Sequence, residues 1–240
     1  MTENINLPEV LKKKDSFTRK QFYSAMTQKY KMSPPQIAYD LQKRLEDGSL
    51  IRVGWNNYSI AGQKSVYRHR YSNTAENIVQ KINENYIDLD FQVFELIQLN
   101  DFMNHQVAHN TIFVTVEYEL LEYVFDTLKG AYPGRTMLKP SLTEYYRYLQ
   151  EDEIVVGRLP SETPKGIDQP WQSRLEKVLV DVFTDKLVSK IVPENEKAAI
   201  MNSAFDSYLL DTNTMIRYAK RKGSDKRMKN ILAEYEVETA

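Results

Sequence analysis

His105 and His109 stand four residues apart, the spacing at which two imidazoles on one helix face can share a zinc ion. A metalloprotease also needs a glutamate beside the first histidine as general base. Gln106 occupies that place, and the segment reads as a loop between strands. Asp88-Leu89-Asp90 has the D-x-D spacing of a magnesium-holding nucleotidyltransferase, but no Gly-Ser pair precedes it to hold a phosphate. Glu117-Tyr118-Glu119 follows an apolar run, where a restriction-type nuclease carries E-x-K; the lysine that would position the attacking water is missing. Close carboxylates at a strand end are more often solvated turn residues. The chain has no cysteine, which excludes disulfides and thiolate zinc sites. It has 8 glycines and no P-loop, nucleophile elbow or dinucleotide fingerprint, so phosphate cradles are scarce. The expectation is a protein that is not an enzyme and carries no metal or cofactor. The alternative is a metal-dependent nuclease or nucleotidyltransferase drawing on Asp88, Asp90, Glu117 and Glu119.

A different constellation lies nearer the start. Ser33 can cap a helix with Pro34 at its first position, where a missing N–H costs nothing. Ile37, Leu41 and Leu45 recur every four residues and form the inward face. The outward face is then Gln36, Tyr39, Asp40, Lys43 and Arg44. A glutamine can pair with adenine in a major groove, and a tyrosine can touch a thymine methyl or a phosphate. Lys43 and Arg44, with Arg19, Lys20 and Arg52, would hold phosphates. Asp40 fits such a groove poorly unless it accepts from a cytosine. Trp55 would stand at a hairpin tip, either as a further contact or packed on the body.

The elements that must position these residues follow from the pattern. A short helix is expected from Asn6 to the lysines at 12–14, and a second after Thr18 with Phe22, Ala25, Met26 and Tyr30 on one stripe. Gly48 ends the third. Leu50–Val53 and Tyr58–Ile60 then read as a hairpin. Three helices and a hairpin are the order of a winged helix-turn-helix. Such modules also serve as plain protein-binding adaptors, a third reading.

Charge favours the nucleic-acid reading. Net charge is −1, yet residues 1–70 hold 13 Lys and Arg against 6 Asp and Glu, and the remainder 19 against 27. A basic head on an acidic body suits a polyanion ligand. No apolar run approaches the ~18 residues of a membrane helix. The start offers no export signal, so a cytoplasmic protein without membrane contact is expected.

The chain is expected to divide into residues 1–62 and 63–240, with a hinge over residues 61–65. The fold class is α+β: the winged head, then a mixed α/β domain with a helical C-terminal third. Ser72 or Asn73 caps a helix; residues 91–99, 111–117, 136–140 and 153–159 read as strands. A buried helix is expected to begin near Trp171. Within it Glu176 and Asp181 need partners, since an unpaired buried charge is costly, and Arg217 is the expected one. That group is a structural ion pair or the remnant of a site. The basic run 218–229 reads as a solvated helix face, with a second nucleic-acid or acidic-partner contact as the alternative.

The order of elements, with Leu175-Glu176-Lys177-Val178-Leu179-Val180-Asp181 and Arg217-Tyr218-Ala219, resembles the AbiEi-type antitoxins of viral-defence toxin–antitoxin systems. The resemblance spans most of the chain. It implies a repressor that binds double-stranded operator DNA upstream of its own operon through Gln36, Tyr39, Lys43 and Arg44. It also implies a nucleotidyltransferase-like toxin as cognate partner, which need not be touched directly. A homodimer would supply two heads.

Overall fold

The computed structural model describes residues 5–14, 16–54, 56–61, 64 and 66–238. The protein is a mixed α+β chain in two compact units. One holds the chain up to Tyr67 together with Phe205–Asp211; the other holds Arg68–Ala204 and the chain from Thr212 onward.

The amino-terminal unit runs α1 (Glu9–Lys12), β1 (Phe17–Thr18), α2 (Arg19–Tyr30), α3 (Pro34–Glu46), β2 (Leu50–Gly54) and β3 (Asn57–Ile60). Its antiparallel sheet has the order β1-β3-β2. Thr18 starts α2 with a reciprocal cap: its Oγ1 accepts from Gln21 N–H at 3.2 Å, and Gln21 Oε1 accepts from Thr18 N–H at 2.8 Å. Lys31 leaves α2 in a left-handed conformation, and Gly48, with φ of 75°, follows α3 where a side chain would strain. Phe22, Met26, Ile37, Leu50 and Tyr58 are buried in one cluster with Leu11 and Phe17, each large apolar side chain contributing about 1.5–3 kcal/mol. The two-residue strand β1 pairs Phe17 with Tyr58 and so closes the sheet over this core.

The larger unit opens with α4 (Asn73–Asn85), capped by Ser72 Oγ, which accepts from Ala75 N–H at 3.1 Å. Then come β4 (Phe91–Glu95), β5 (Thr111–Val116), α5 (Leu121–Ala131), β6 (Thr136–Leu138), α6 (Leu142–Tyr148) and β7 (Glu153–Arg158). The sheet order is β4-β5-β7-β6; β4 is antiparallel to β5, while β5, β7 and β6 run parallel. Val93, Val114, Val116, Ile154 and Val156 pack with the apolar stripes of α4 and α5. Phe94 and Phe113, stacked at 5.5 Å, are buried beside them in sequence and so lie on the opposite face.

The first strand is shorter than its apolar run predicts. Gln98 Oε1 accepts from Glu95 N–H at 2.9 Å, and Leu96–Asp101 turns into a 3-10 helix. The helical region holds α7 (Leu175–Thr184), α8 (Val188–Ile191), α9 (Glu194–Ser207), α10 (Thr212–Arg221) and α11 (Asp225–Glu238). α7 begins at Leu175 rather than Trp171, because Trp171 and Ser173 are held to the edge of β4. Val93 N–H donates to Trp171 C=O at 2.8 Å, and Ser173 N–H to Val93 C=O at 3.2 Å. Every residue from Leu175 to Phe183 is buried, as a helix packed on all sides must be. Among the described residues no helix is long and apolar enough to cross a membrane.

Candidate nucleic-acid interface

The third helix sorts its expected contacts into three groups. Tyr39 and Lys43 are exposed, Tyr39 by 71%. They are four apart, hence on one face. Gln36 is exposed too, but Ser33 N–H and Ser33 Oγ both donate to its Oε1, at 2.9 and 2.8 Å. That oxygen is committed to starting the helix, which leaves the amide NH2 as the free recognition group. Two-pronged adenine pairing would require the cap to open.

Asp40 and Arg44 depart from the expected outward face. Asp40 is buried, and its Oδ2 accepts from Arg44 Nε at 2.7 Å. Arg44 Nη2 also donates to the Ile5 carbonyl. The aspartate that looked out of place in a groove is turned inward, and it draws the arginine with it. Arg44 is therefore a half-buried brace between α3 and the start of the chain rather than a free phosphate ligand.

On α2, Lys20 is exposed, while Arg19 lies along Tyr23, with Nη2 donating to the phenol oxygen at 3.0 Å. Its guanidinium carbon sits 5.3 Å from the ring centroid, a stacking that orients the cation while leaving it accessible. Arg52 is part of β2, opposite Tyr58. Trp55, and the hinge residues Gly62, Gln63 and Ser65, lie outside the described residues.

The acidic ion-pair group of the larger unit differs from the expected pairing. Glu176 meets Arg174 at 2.7 Å. Asp181 meets Lys177 at 2.9 Å and the ammonium of Lys222, and accepts from Tyr218 OH at 3.1 Å. Arg217 Nη2 instead donates to Thr214 Oγ1 at 3.0 Å. Arg217 is on the solvent side of α10, while Tyr218 and Lys222, one turn apart, form the inner edge. Burial opposes the charge on Asp181, but Lys177 and Lys222 outweigh it and hold the carboxyl below its ordinary range. The cluster is closed by its own charges.

Three of the residues weighed for metal chemistry are held by other partners. Asp90 pairs with Lys165 at 3.1 Å. His105 Nδ1 lies 2.6 Å from Glu196, and His109 Nδ1 lies 2.9 Å from Glu151. Among the described residues no group of three or more His, Asp or Glu is placed to hold a metal ion.

Two buried acids escaped notice in the sequence. Glu95, fully buried, accepts from Ser72 N–H and Asn110 Nδ2, both at 2.9 Å, and lies 3.1 Å from His69 Nε2. Burial works against its charge; the bonds from His69, Ser72 and Asn110 prevail and keep it below the usual carboxylate range. Glu153, at the start of β7, is fully buried with neither oxygen partnered among the described residues. Burial pushes its carboxyl up to about 7. Only its place at the head of an apolar strand hinted at this.

A protein-family profile matches residues 36–238; its description is a family of unknown function, DUF6577. The chain belongs to this family. The DUF6577 span takes in α3 from Gln36 onward, with Tyr39, Lys43, Arg44, Arg52 and Trp55, and also Glu176, Asp181 and Arg217. It leaves out Arg19 and Lys20. A comparison with curated proteins returns no match.

Proposed function

We propose that this DUF6577 member is a DNA-binding transcriptional regulator whose amino-terminal unit is a winged helix-turn-helix. The observation that carries the reading is the exposed α3 face with Tyr39 and Lys43, set in a helix–strand–helix–helix–strand–strand order. In that arrangement the second helix of the pair enters the major groove, and the β2–β3 hairpin lies beside it as the wing. Lys20, Arg19 and Lys43 supply phosphate contacts, Tyr39 a base or backbone contact, and Gln36 an amide donor. The resemblance to AbiEi-type antitoxins extends the proposal. The chain represses its own promoter in the cytoplasm as the antitoxin of a phage-defence operon, as a homodimer on paired half-sites. Its cognate toxin would be nucleotidyltransferase-like, with no direct contact required.

The test is fluorescence anisotropy of the full chain on a duplex from its own upstream region, across a salt series. Binding should need no metal and weaken steeply with salt, because each neutralised phosphate releases counterions. Lys20→Glu with Lys43→Glu should abolish preference for that duplex while leaving the circular dichroism unchanged. Preference that survives the double variant would reject this surface as the reader.

A further inference from the structure

The basic run at the end of the chain is the feature that the proposed function does not use. In the structure it is a helical hairpin: α10 ends, Lys222–Ser224 turns, and α11 begins. Gly223, with φ of 68°, makes the turn; its N–H donates to Lys220 C=O at 3.0 Å and Ser224 N–H to Ala219 C=O at 2.8 Å. The inward stripe, Met215, Tyr218, Ala219, Met228 and Leu232, is buried.

The cations of this hairpin divide sharply. Lys222 is half-buried on Asp181 and Asp185, and Arg221 pairs with Glu162. Arg217, Lys220, Lys226, Arg227 and Lys229 are exposed, and among the described residues none lies within ion-pair distance of a carboxylate. Arg227 does lie near Glu194, but that carboxylate is bound to Lys197 at 2.6 Å. Arg217 and Lys220 share one face of α10, and Lys226 and Lys229 share one face of α11, each pair three residues apart.

Lys220 lies in the last turn of α10, where the helix dipole favours a cation, but fold stability does not account for the three cations of α11. Lys226 and Arg227 occupy the first turn of α11, the positive end of its dipole, where cations are unfavourable, and Lys229 follows in the next turn. They sit there together with Asp225 as the one acid of that first turn, none of them in an ion pair among the described residues, in a unit whose overall balance is acidic. A surface that concentrates charge at a cost to its own helix is suited to an external polyanion.

We propose that this hairpin is a second nucleic-acid contact surface, binding the phosphodiester backbone without regard to sequence. The chemistry favours nucleic acid over a membrane or a protein. Between residues 205 and 235 no large apolar side chain is exposed. A membrane-lying helix needs an apolar face to insert, and a protein hot spot needs aromatic or aliphatic anchors. Phosphate oxygens need only the cations.

The experiment uses the full chain and a duplex of random sequence, read by fluorescence anisotropy over a salt series. Lys226→Glu, Arg227→Glu and Lys229→Glu combined should weaken binding at low salt and lower the salt slope by about 3, one per lost phosphate contact. The companion variant Lys20→Glu with Lys43→Glu should retain the hairpin-dependent part of the slope. An unchanged slope in the triple variant, with near-native circular dichroism, overturns the inference and leaves the regulator reading standing. Equal binding to phosphatidylserine vesicles or to polyglutamate overturns it in favour of a generic acidic-surface contact. Milder Gln substitutions at the same three positions serve if the reversals unfold the chain.

Discussion

Arg44 Nε lies 2.7 Å from Asp40 Oδ2, one helical turn back along α3. Lys43, its neighbour in sequence, stays exposed. Two adjacent cations on one helix therefore do different work, one as a brace and one at the surface. Asp40→Ala leaves the half-buried guanidinium without its anion and should cost about 1–3 kcal/mol, read as a lower urea midpoint. Lys43→Gln should leave that midpoint unchanged and shift the salt dependence of duplex binding instead.

Thr18 closes the cap that launches α2. Thr18→Ala removes the side-chain acceptor for Gln21 N–H and should cost about 1 kcal/mol. Thr18→Gly, with less desolvation of the freed N–H, should cost less. Thermal melts of the two variants decide the point.

Glu153 sets a pH dependence with a definite sign. Its carboxyl is pushed up to about 7 by burial, with the backbone at Gln150 and the charge of Arg135 offsetting part, against 4.5 when free. Between these values the folded chain binds a proton that the unfolded chain releases. The stability it contributes is fully present below 4.5 and is lost as pH rises through about 7. Glu153→Gln should therefore raise the urea midpoint at about pH 8 and make little difference near pH 4.5. A midpoint shift of the same size at both would show that the carboxyl does not titrate in this window.

Asp181 carries the opposite sign. Its carboxyl is held below the usual range, so its stabilisation is present above the unfolded value and disappears as pH falls through the folded one. Asp181→Ala strands Lys177 inside the helical region and leaves Lys222 with Asp185 alone; it should cost about 3–5 kcal/mol. Lys177→Met should cost less, since Asp181 keeps Lys222 and the Tyr218 hydroxyl. Urea denaturation of the two variants gives the comparison.

Apolar periodicity made the helices and strands legible, and capping residues such as Thr18, Ser33 and Ser72 marked their starts. What stayed hidden depended on contacts distant in sequence. β1 is two residues long and exists only because Tyr58 and Asn57 pair with it. Trp171 to Ser173 has helix-like composition but is captured by the edge of β4. Asp40 reads as outward from a helical wheel, and only its bond to Arg44 and that of Arg44 to Ile5 explain the inward turn. Likewise the need of Asp181 for a cation followed from burial alone, whereas the choice of Lys177 and Lys222 over Arg217 depended on which side of α10 faces in.

The Phe205–Asp211 segment groups with the amino-terminal unit although it arrives from far along the chain. Lys64 donates to the Phe205 carbonyl at 2.8 Å, and the Tyr67 and Tyr208 rings meet edge to face at 5.0 Å. A gene fragment stopping after Tyr67 would thus express the head without part of its own packing. A cut anywhere between Tyr67 and Phe205 would leave the two stretches that build this unit joined by noncovalent contacts alone.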